Sequence, residues 1–194
     1  DLPIIPEDAN PMAVNVTVVG NGTVTKDPDK SSYTCGESVA LAATTVPGWS
    51  FAGWSGDINA SAPNTSVTID GPKSVVATFT QDQYLLNVNI DNDGIGGDAN
   101  AVTRSPDKAT YVYGDVVELT AVPQPGWTFT GWTGAVNSTS PTVSLTMFST
   151  QTVTAHFKQD TYSLTLNTIH NGNGTGGTAT VTPQKSAYLY GDVV

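Results

Sequence analysis

The chain has 194 residues, only 12% of them charged, and its 17 acidic against 7 basic residues give a formal net charge of −10. Nucleic-acid phosphates and anionic membrane surfaces are bound by clustered Lys and Arg, so this balance disfavours both partners. The sequence has no run of the ~18 apolar residues that a membrane-spanning helix needs, which predicts no membrane insertion in this segment. Its single cysteine, Cys35, excludes an intramolecular disulfide.

Residues 1–12 contain three prolines and show no hydrophobic periodicity, which predicts a linker or the tail of a preceding module. Beyond them one pattern recurs with a period of 78 residues, as the pair Trp54 and Trp132 shows. The repeat divides the chain into two complete modules and an incomplete third, at residues 13–82, 83–160 and 161–194. Arrays of near-identical small modules usually space, stiffen or display other domains, and they seldom carry out chemistry.

Apolar residues alternate with polar ones along most of each module, between clusters of Gly, Pro and Asn. Examples are the triplets Val14, Val16, Val18 and Leu86, Val88, Ile90. A period of two is typical of β-strands joined by tight turns, and the sequence shows no stripe with the spacing of an amphipathic helix. We therefore predict an all-β fold class, a tandem array of small, helix-poor modules with about five or six short strands each.

The loop after the first strand of the second module is rich in acidic residues and glycine. Asp91, Asp93 and Asp98, together with Asn92, could supply the oxygen ligands that Ca²⁺ prefers. The loop lacks the later bidentate Glu of an EF-hand, the equivalent loop near Asn171 has no acidic residue, and Asp and Asn are common in ordinary hairpin turns. The sequence leaves a calcium site and a plain turn as alternatives, and it indicates no other cofactor.

Each complete module carries the aromatic motif Pro-Gly-Trp-x-Phe-x-Gly-Trp, at residues 47–54 and 125–132. A regular strand would place Trp49 and Trp54 on opposite faces, unless Gly53 makes a bulge. At the surface, Trp54 and Trp132 could stack on sugar rings, whereas buried they would belong to the core. We expect a core role for most of the motif and predict burial of Leu41, Trp49, Phe51, Phe79, Leu119, Trp127, Phe129 and Phe157.

No residues have the spacing of a catalytic or zinc site. His156 and His170 have no Cys, His or acidic residue nearby at metal-ligand spacing, and no Gly-x-Ser-x-Gly motif occurs. Cys35 takes the place of Tyr113 and Tyr190 in the repeat, which predicts a small buried thiol and not a nucleophile. The sequence therefore indicates no catalytic residue, and we predict that the segment is not an enzyme.

Four motifs together carry a resemblance to a known family. They are Asn-Gly-Thr-Val-Thr at residues 21–25, Tyr-x-x-Gly-Glu/Asp, the aromatic motif, and a closing Val-x-Ala-x-Phe at 75–79 and 153–157. In this combination both modules resemble the divergent internalin-type B-repeat family, which occurs in tandem in large bacterial and archaeal surface proteins. Trp49 and Trp127 stand where family repeats usually have Tyr. The resemblance implies a small β-rich module, β-grasp-like or a small sandwich, placed between functional domains or along a stalk, without a catalytic residue.

We predict a non-catalytic extracellular spacer segment of a larger cell-surface or secreted protein, with the flanking domains of the same polypeptide as its partners. The alternatives are an adhesin module that binds a cell-surface glycan or protein, and a subunit of a head-to-tail extracellular filament. The incomplete third module lacks the second half of the repeat and would expose Leu164, Leu166 and Val181. We expect the chain to continue beyond Val194. The alternatives are a disordered fragment and self-association, in which another copy supplies the missing strands.

Overall fold

The computed structural model describes residues 11–95, 100–169, 172, 174 and 177–194. These residues form strands, turns and loops, and no helix. The chain divides into two compact units, residues 1–83 and residues 84–194. The first unit contains the first module, and the second unit contains the second module together with the incomplete third.

The first module is built of two three-stranded sheets. Its strands in chain order are β1 (Val14–Val19), β2 (Gly22–Asp27), β3 (Ser38–Thr45), β4 (Trp49–Gly56), β5 (Asn64–Thr68) and β6 (Lys73–Gln81). One sheet has the order β1-β6-β4 and the other the order β2-β3-β5. β1 runs parallel to β6, whereas the other pairs are antiparallel. A parallel pair needs a long connection, and here the chain between β1 and β6 includes the whole second sheet.

The second module repeats this plan. Its strands are β7 (Leu86–Asp91), β8 (Ala101–Ser105), β9 (Val116–Val122), β10 (Trp127–Gly134), β11 (Thr142–Thr146) and β12 (Gln151–Gln159). They form the sheets β7-β12-β10 and β8-β9-β11, with β7 again parallel to β12. In the incomplete module, β13 (Thr161–Tyr162) and β14 (Tyr188–Leu189) form an antiparallel pair.

In each module the two sheets bury one hydrophobic core between them. The core of the first module consists of Val14, Tyr33, Val39, Leu41, Trp54, Val67, Ile69, Val75, Ala77 and Phe79. The core of the second consists of Leu86, Tyr111, Val117, Leu119, Ala121, Trp132, Leu145, Met147, Val153, Ala155 and Phe157. The predicted all-β, helix-poor tandem array is confirmed, and the small sandwich is the form that each module takes.

A β-bulge in the aromatic motif decides which aromatic residues enter the core. Where β4 pairs with β6, it gains one extra residue, Ala52, between Phe51 and Gly53. An extra residue shifts the alternation of side chains by one, and Trp54 therefore faces the core. β10 has the same bulge, with Thr130 as the extra residue. The bulge that the sequence left as an alternative is therefore present in both modules.

The two tryptophans that follow the bulges are part of the core. Trp54 and Trp132 are each 2% exposed. Their indole nitrogens donate to the carbonyls of Ala62 at 3.1 Å and Ser140 at 2.9 Å. Neither ring has a free face on which a sugar could stack, so the structure corrects the glycan-stacking hypothesis for these two residues. The physical reason is the bulge, which turns both indoles inward.

The other predicted core residues divide into two groups. Those on the central strands are buried: Leu41, Phe79, Leu119 and Phe157. Those at the start of the aromatic motif are half-buried and pack against the margin of the core: Trp49, Phe51, Trp127 and Phe129. The prediction overestimated the burial of this second group. Phe51 faces the core side of the sheet, opposite Phe79, but Trp49 pairs with the exposed Gln81 at the end of β6, where the core ends.

Cys35 is exposed, contrary to the expectation of a buried thiol. The equivalent Tyr113 and Tyr190 are exposed as well, at 43% and 63%. The buried side chain of this segment lies two residues earlier, where Tyr33 is 5% exposed and its counterparts are also buried. The position of Cys35 in the repeat therefore belongs to the surface of the module.

Candidate functional site

A ten-residue loop recurs in all three modules with the pattern Pro-x-Lys-x-x-Tyr-x-x-Gly-Glu/Asp, at residues 28–37, 106–115 and 183–192. We call it the tyrosine loop. In the first copy, the Tyr33 hydroxyl donates to the Pro28 carbonyl at 2.9 Å and accepts from the Lys30 backbone N–H at 3.1 Å. The Lys30 ammonium donates to the Glu37 carboxylate at 2.5 Å, and the same carboxylate accepts from the backbone N–H of Thr34 at 3.1 Å.

The other two copies repeat these contacts. The hydroxyl of the tyrosine donates to the proline carbonyl at 2.9 Å in the second copy and 3.1 Å in the third. Lys108 donates to Asp115 at 2.9 Å, and Lys185 donates to Asp192 at 2.8 Å. In each copy the hydrogen bond from the lysine, followed by one from a backbone N–H, lowers the pKa of the acidic residue below its ordinary value.

The tyrosine loop holds the chain in place, because the lysine ammonium is bonded to the carboxylate and the tyrosine hydroxyl is bonded to two backbone groups. The sequence analysis recognised the tyrosine and the acidic residue but not the proline and lysine. Their recurrence at a fixed spacing in three copies was the available signal. Its presence in the incomplete module shows that the loop forms without the second half of the repeat.

The ends of both complete modules are fixed by an aspartate. In the first module, the backbone N–H of Asp82 donates to the Gly48 carbonyl at 2.8 Å, and the Ser50 hydroxyl donates to its carboxylate at 2.6 Å. In the second module, Asp160 makes the same two bonds, to the Gly126 carbonyl at 2.8 Å and from the Thr128 hydroxyl at 2.6 Å. Each aspartate thereby ties the last residue of its module to the start of the aromatic motif.

The segments that follow these aspartates are fixed to the tyrosine loop of their own module. Tyr84 exchanges two backbone hydrogen bonds with Tyr111, at 2.8 and 2.9 Å. In the incomplete module, β13 pairs with β14 through Thr161 and Leu189. Tyr190, which follows β14, lies directly over the Gly126 turn: a Cβ atom added at this glycine would be 2.3 Å from the Tyr190 Cβ.

The predicted calcium ligands are brought together only in part. Asp98 lies outside the described residues. The Asp91 carboxylate lies 2.9 Å from His156 Nδ1, and Asp93 occupies the following turn with a φ of 54°. The described residues contain no group of three or more His, Cys, Asp or Glu that could hold a metal ion. Calcium stays a prediction, which thermal melts of the chain with and without a chelator would test.

Asn100 organises the same loop, and the sequence analysis did not identify it. Its side chain is buried, at 5% exposure. The amide nitrogen donates to the side-chain oxygen of Asn92 at 2.9 Å, and the amide oxygen accepts from the backbone N–H of Gln124 at 2.9 Å. A buried amide with both functions satisfied fixes the two ends of the loop. Nothing in the sequence distinguished it from the other asparagines.

His156 is hydrogen-bonded at both ring nitrogens. Nδ1 lies 2.9 Å from the Asp91 carboxylate, and Nε2 lies 2.7 Å from the Thr133 hydroxyl. The sequence analysis found no acidic partner for this histidine, because Asp91 lies far away along the chain. The parallel pairing of β7 with β12 places the two side by side. They lie next to a surface depression of about 440 Å³, which is lined by Thr130, Gly131, Trp132, Thr133, Asn137, Ser138, Thr139 and His156.

The model of the divergent InlB B-repeat domain matches residues 12–83 and 88–161, which together exceed half of the chain. The chain belongs to the divergent InlB B-repeat family. The resemblance found in the sequence is confirmed. Divergent InlB B-repeats are repeated modules of bacterial surface or secreted proteins. No curated protein and no solved structure matches the chain. Within the described residues, no helix is long and apolar enough to span a membrane.

Proposed function

We propose that this B-repeat segment is a non-catalytic spacer, which holds the flanking domains of one extracellular polypeptide at a defined separation. The joint between the modules carries the proposal. Asp82 is fixed to the first module and Tyr84 is fixed to the second, so a single residue, Gln83, lies between two anchored positions. A flexible linker requires many residues with free backbone rotation. A joint this short leaves little room for independent movement of the modules.

The second joint follows the same rule. Asp160 is fixed to the second module, and the next residue, Thr161, is already paired with Leu189 in β13 and β14. Each complete module also has its own core, as expected of units that fold separately and stack in one dimension. A spacer needs this combination of self-sufficient units and short joints, and it needs no reactive site.

Distance measurements between spin labels on the two modules test the spacer. One label attaches to the exposed native thiol of Cys35, and the second to a cysteine introduced by Ser149→Cys at an exposed turn. A stiff joint predicts a narrow distribution of distances by pulsed electron paramagnetic resonance. Insertion of a Gly-Ser linker after Gln83 should broaden it. An equally broad distribution with and without the inserted linker would contradict the proposal.

A further inference from the structure

Several differences between the two complete modules converge on one place in the second. The ladder between the parallel strands and the 78-residue period define the equivalent positions. At four of them the first module has an apolar or smaller residue and the second has a larger or more polar one. These pairs are Val19 and Asp91, Ala52 and Thr130, Ala60 and Ser138, and Thr78 and His156. Three of the second-module residues, Thr130, Ser138 and His156, line the 440 Å³ depression. The fourth, Asp91, does not line it but lies 2.9 Å from His156 Nδ1.

The polar groups of the depression are fixed before any ligand arrives. An ionised Asp91 carboxylate can only accept a hydrogen bond, so His156 Nδ1 carries the proton that it donates. Nε2 lies 2.7 Å from the Thr133 hydroxyl, so both ring nitrogens have a hydrogen-bond partner. Thr130 donates its hydroxyl to the backbone carbonyl of His156 at 3.1 Å, and the Ser138 hydroxyl accepts from the backbone N–H of Ser140 at 3.1 Å. Side chains held in this way lose little further freedom on binding.

Two side chains at the margin of the depression are available to a ligand. Asn137 and Thr139 are exposed, and within the described part of the chain their side chains form no hydrogen bond. An amide provides donors and an acceptor, and a hydroxyl provides both functions. The β10–β11 loop that carries them is held by backbone bonds between Trp132 and Ser138, at 2.7 and 3.4 Å. Free polar groups therefore project from an ordered loop.

The chemistry of the lining selects the class of ligand. The described lining consists of hydroxyl, amide and imidazole groups, threonine methyl groups, the bare backbone of Gly131 and the edge of Trp132, and it contains no Lys, Arg, Asp or Glu. An anion would find no Lys or Arg here and would be repelled by the net charge of −10. A neutral saccharide presents hydroxyl groups and C–H faces, and both match this lining.

We propose that the second module carries a binding pocket for a neutral saccharide, formed by the β10 bulge, the β10–β11 loop and His156 backed by Asp91. The site is a shallow depression of about 440 Å³ that is open to solvent, so a ligand would remain partly exposed in it. Trp132 contributes the edge of a buried ring and no stacking platform, so recognition rests on hydrogen bonds. The pocket is additional to the spacer function and does not depend on it.

NMR spectroscopy of the full chain tests the pocket. Amide spectra are recorded during titration with the methyl glycosides of glucose, galactose, mannose and N-acetylglucosamine. At least one glycoside should shift the backbone amides of Thr133, Asn137 and Thr139. The counterparts in the first module, Ser55, Asn59 and Ser61, serve as an internal control and should not shift. An absence of shifts with all four glycosides, or equal shifts in both modules, would overturn the proposal.

Variants that restore first-module residues provide the matched control. His156→Thr should weaken binding by about tenfold or more, because it removes the imidazole from the wall of the pocket. Asp91→Val should weaken it as well, because it releases the ring from its fixed orientation. The first module folds with these residues, so the variants are expected to fold, and the spectrum reports any failure to do so. Ser138→Ala, at an exposed loop, is the replacement if either variant unfolds.

The converse substitutions supply a gain of function. The first module receives the four polar residues through Val19→Asp, Ala52→Thr, Ala60→Ser and Thr78→His. This variant should show glycoside-dependent shifts at Ser55, Asn59 and Ser61. Unchanged binding in His156→Thr would contradict the proposal. The proposal would also be contradicted if the four-residue variant of the first module folds but its amide signals do not shift on addition of any glycoside.

Discussion

The two complete modules share their interior and differ at their surfaces. Leu41 and Leu119 are equivalent and almost fully buried, as are the tryptophans that follow the bulges. In contrast, Tyr113 and Phe148 form an exposed aromatic pair, with ring centroids 5.1 Å apart, where the first module has Cys35 and an aspartate. Burial constrains the size and shape of a core residue, whereas an exposed position tolerates change. Differences between the modules therefore mark places where function can vary on a constant scaffold.

The incomplete module extends the comparison to a repeat without its second half. Its tyrosine loop has the hydrogen bonds of the complete copies, and Tyr188 is 9% exposed. Its first apolar segment, in contrast, is open to solvent, as Leu164 at 45% exposure shows. The side-chain hydrogen bonds of the loop join groups within ten residues, whereas the sheet depends on a partner strand from the second half. The incomplete module therefore distinguishes the part of the repeat that is held by local hydrogen bonds, the tyrosine loop, from the part that needs strands distant in the sequence.

Of the changes that test this comparison, removal of a buried tryptophan should lower the stability of a module most. Trp54→Ala and Trp132→Ala each delete a side chain that is 2% exposed, and each should destabilise its own module by about 3–5 kcal/mol. Trp49→Ala, at a half-buried position, is the control and should cost clearly less. Calorimetry of the chain would measure the unfolding of both units. Equal losses from Trp49→Ala and Trp54→Ala would show that the bulge does not decide which tryptophan carries the core.

The contact between Tyr190 and the Gly126 turn predicts the next largest effect. Gly126→Ala places a Cβ atom 2.3 Å from the Tyr190 Cβ in addition to straining a residue with a φ of 82°. Gly114→Ala is the matched control, because its φ is 85° but nothing lies within 4 Å of an added Cβ. Strain alone should cost on the order of 1 kcal/mol, and Gly126→Ala should exceed it.

Chemical denaturation of both glycine variants measures the difference, and protease digestion reports whether residues 161–194 are released from the second module. If the two variants lose the same stability and resist proteolysis equally, the packing of Tyr190 on this turn contributes nothing. A larger loss in Gly126→Ala together with faster cleavage after Asp160 would assign the effect to the contact.

The sequence predicted the fold from local patterns and missed features that depend on pairing. Alternation of β-branched residues predicted the strands, and the period predicted the modules. The inward turn of Trp54 depends on the bulge, which changes the face of every later side chain by a single extra residue. The partnership of His156 with Asp91 depends on a parallel ladder between the first and last strands. Gly53 offered a local signal for the bulge, although the sequence could not decide it. No residue near His156 pointed to Asp91, so neither the pocket nor its histidine could be predicted.

Removal of the tyrosine hydroxyl should lower the stability less than these changes. It also allows the tyrosine loops of the two complete modules to be compared. Tyr111→Phe keeps the buried ring and deletes the bonds to the Pro106 carbonyl and from the Lys108 N–H, at 2.9 and 3.3 Å. The loss of a buried hydrogen bond should cost about 1–2 kcal/mol. Tyr33→Phe should cost the same in the first module, since its geometry is the same. A difference between the two variants, measured by denaturation, would show that the loops are not energetically equivalent.

The smallest effect is the pH dependence of the carboxylate in the tyrosine loop. Lys108, followed by the backbone N–H of Val112, lowers the pKa of Asp115 in the folded state. An acidic group with a lowered folded pKa contributes stability above its unfolded pKa of about 3.9, and this contribution is lost as the pH falls through the folded pKa. Denaturation midpoints of the wild type should therefore fall more steeply below pH ~4 than those of Asp115→Asn.

The two proteins should differ above this pH and converge in acid, because Asp115→Asn has no carboxylate to protonate. The difference should be small, since the pair lies at the surface and is screened by salt. Glu37→Gln repeats the experiment in the first module, where Lys30 lowers the pKa of Glu37 in the same way. Parallel pH profiles of the wild type and Asp115→Asn would mean that the hydrogen bonds of Tyr111, and not the ion pair, hold the loop.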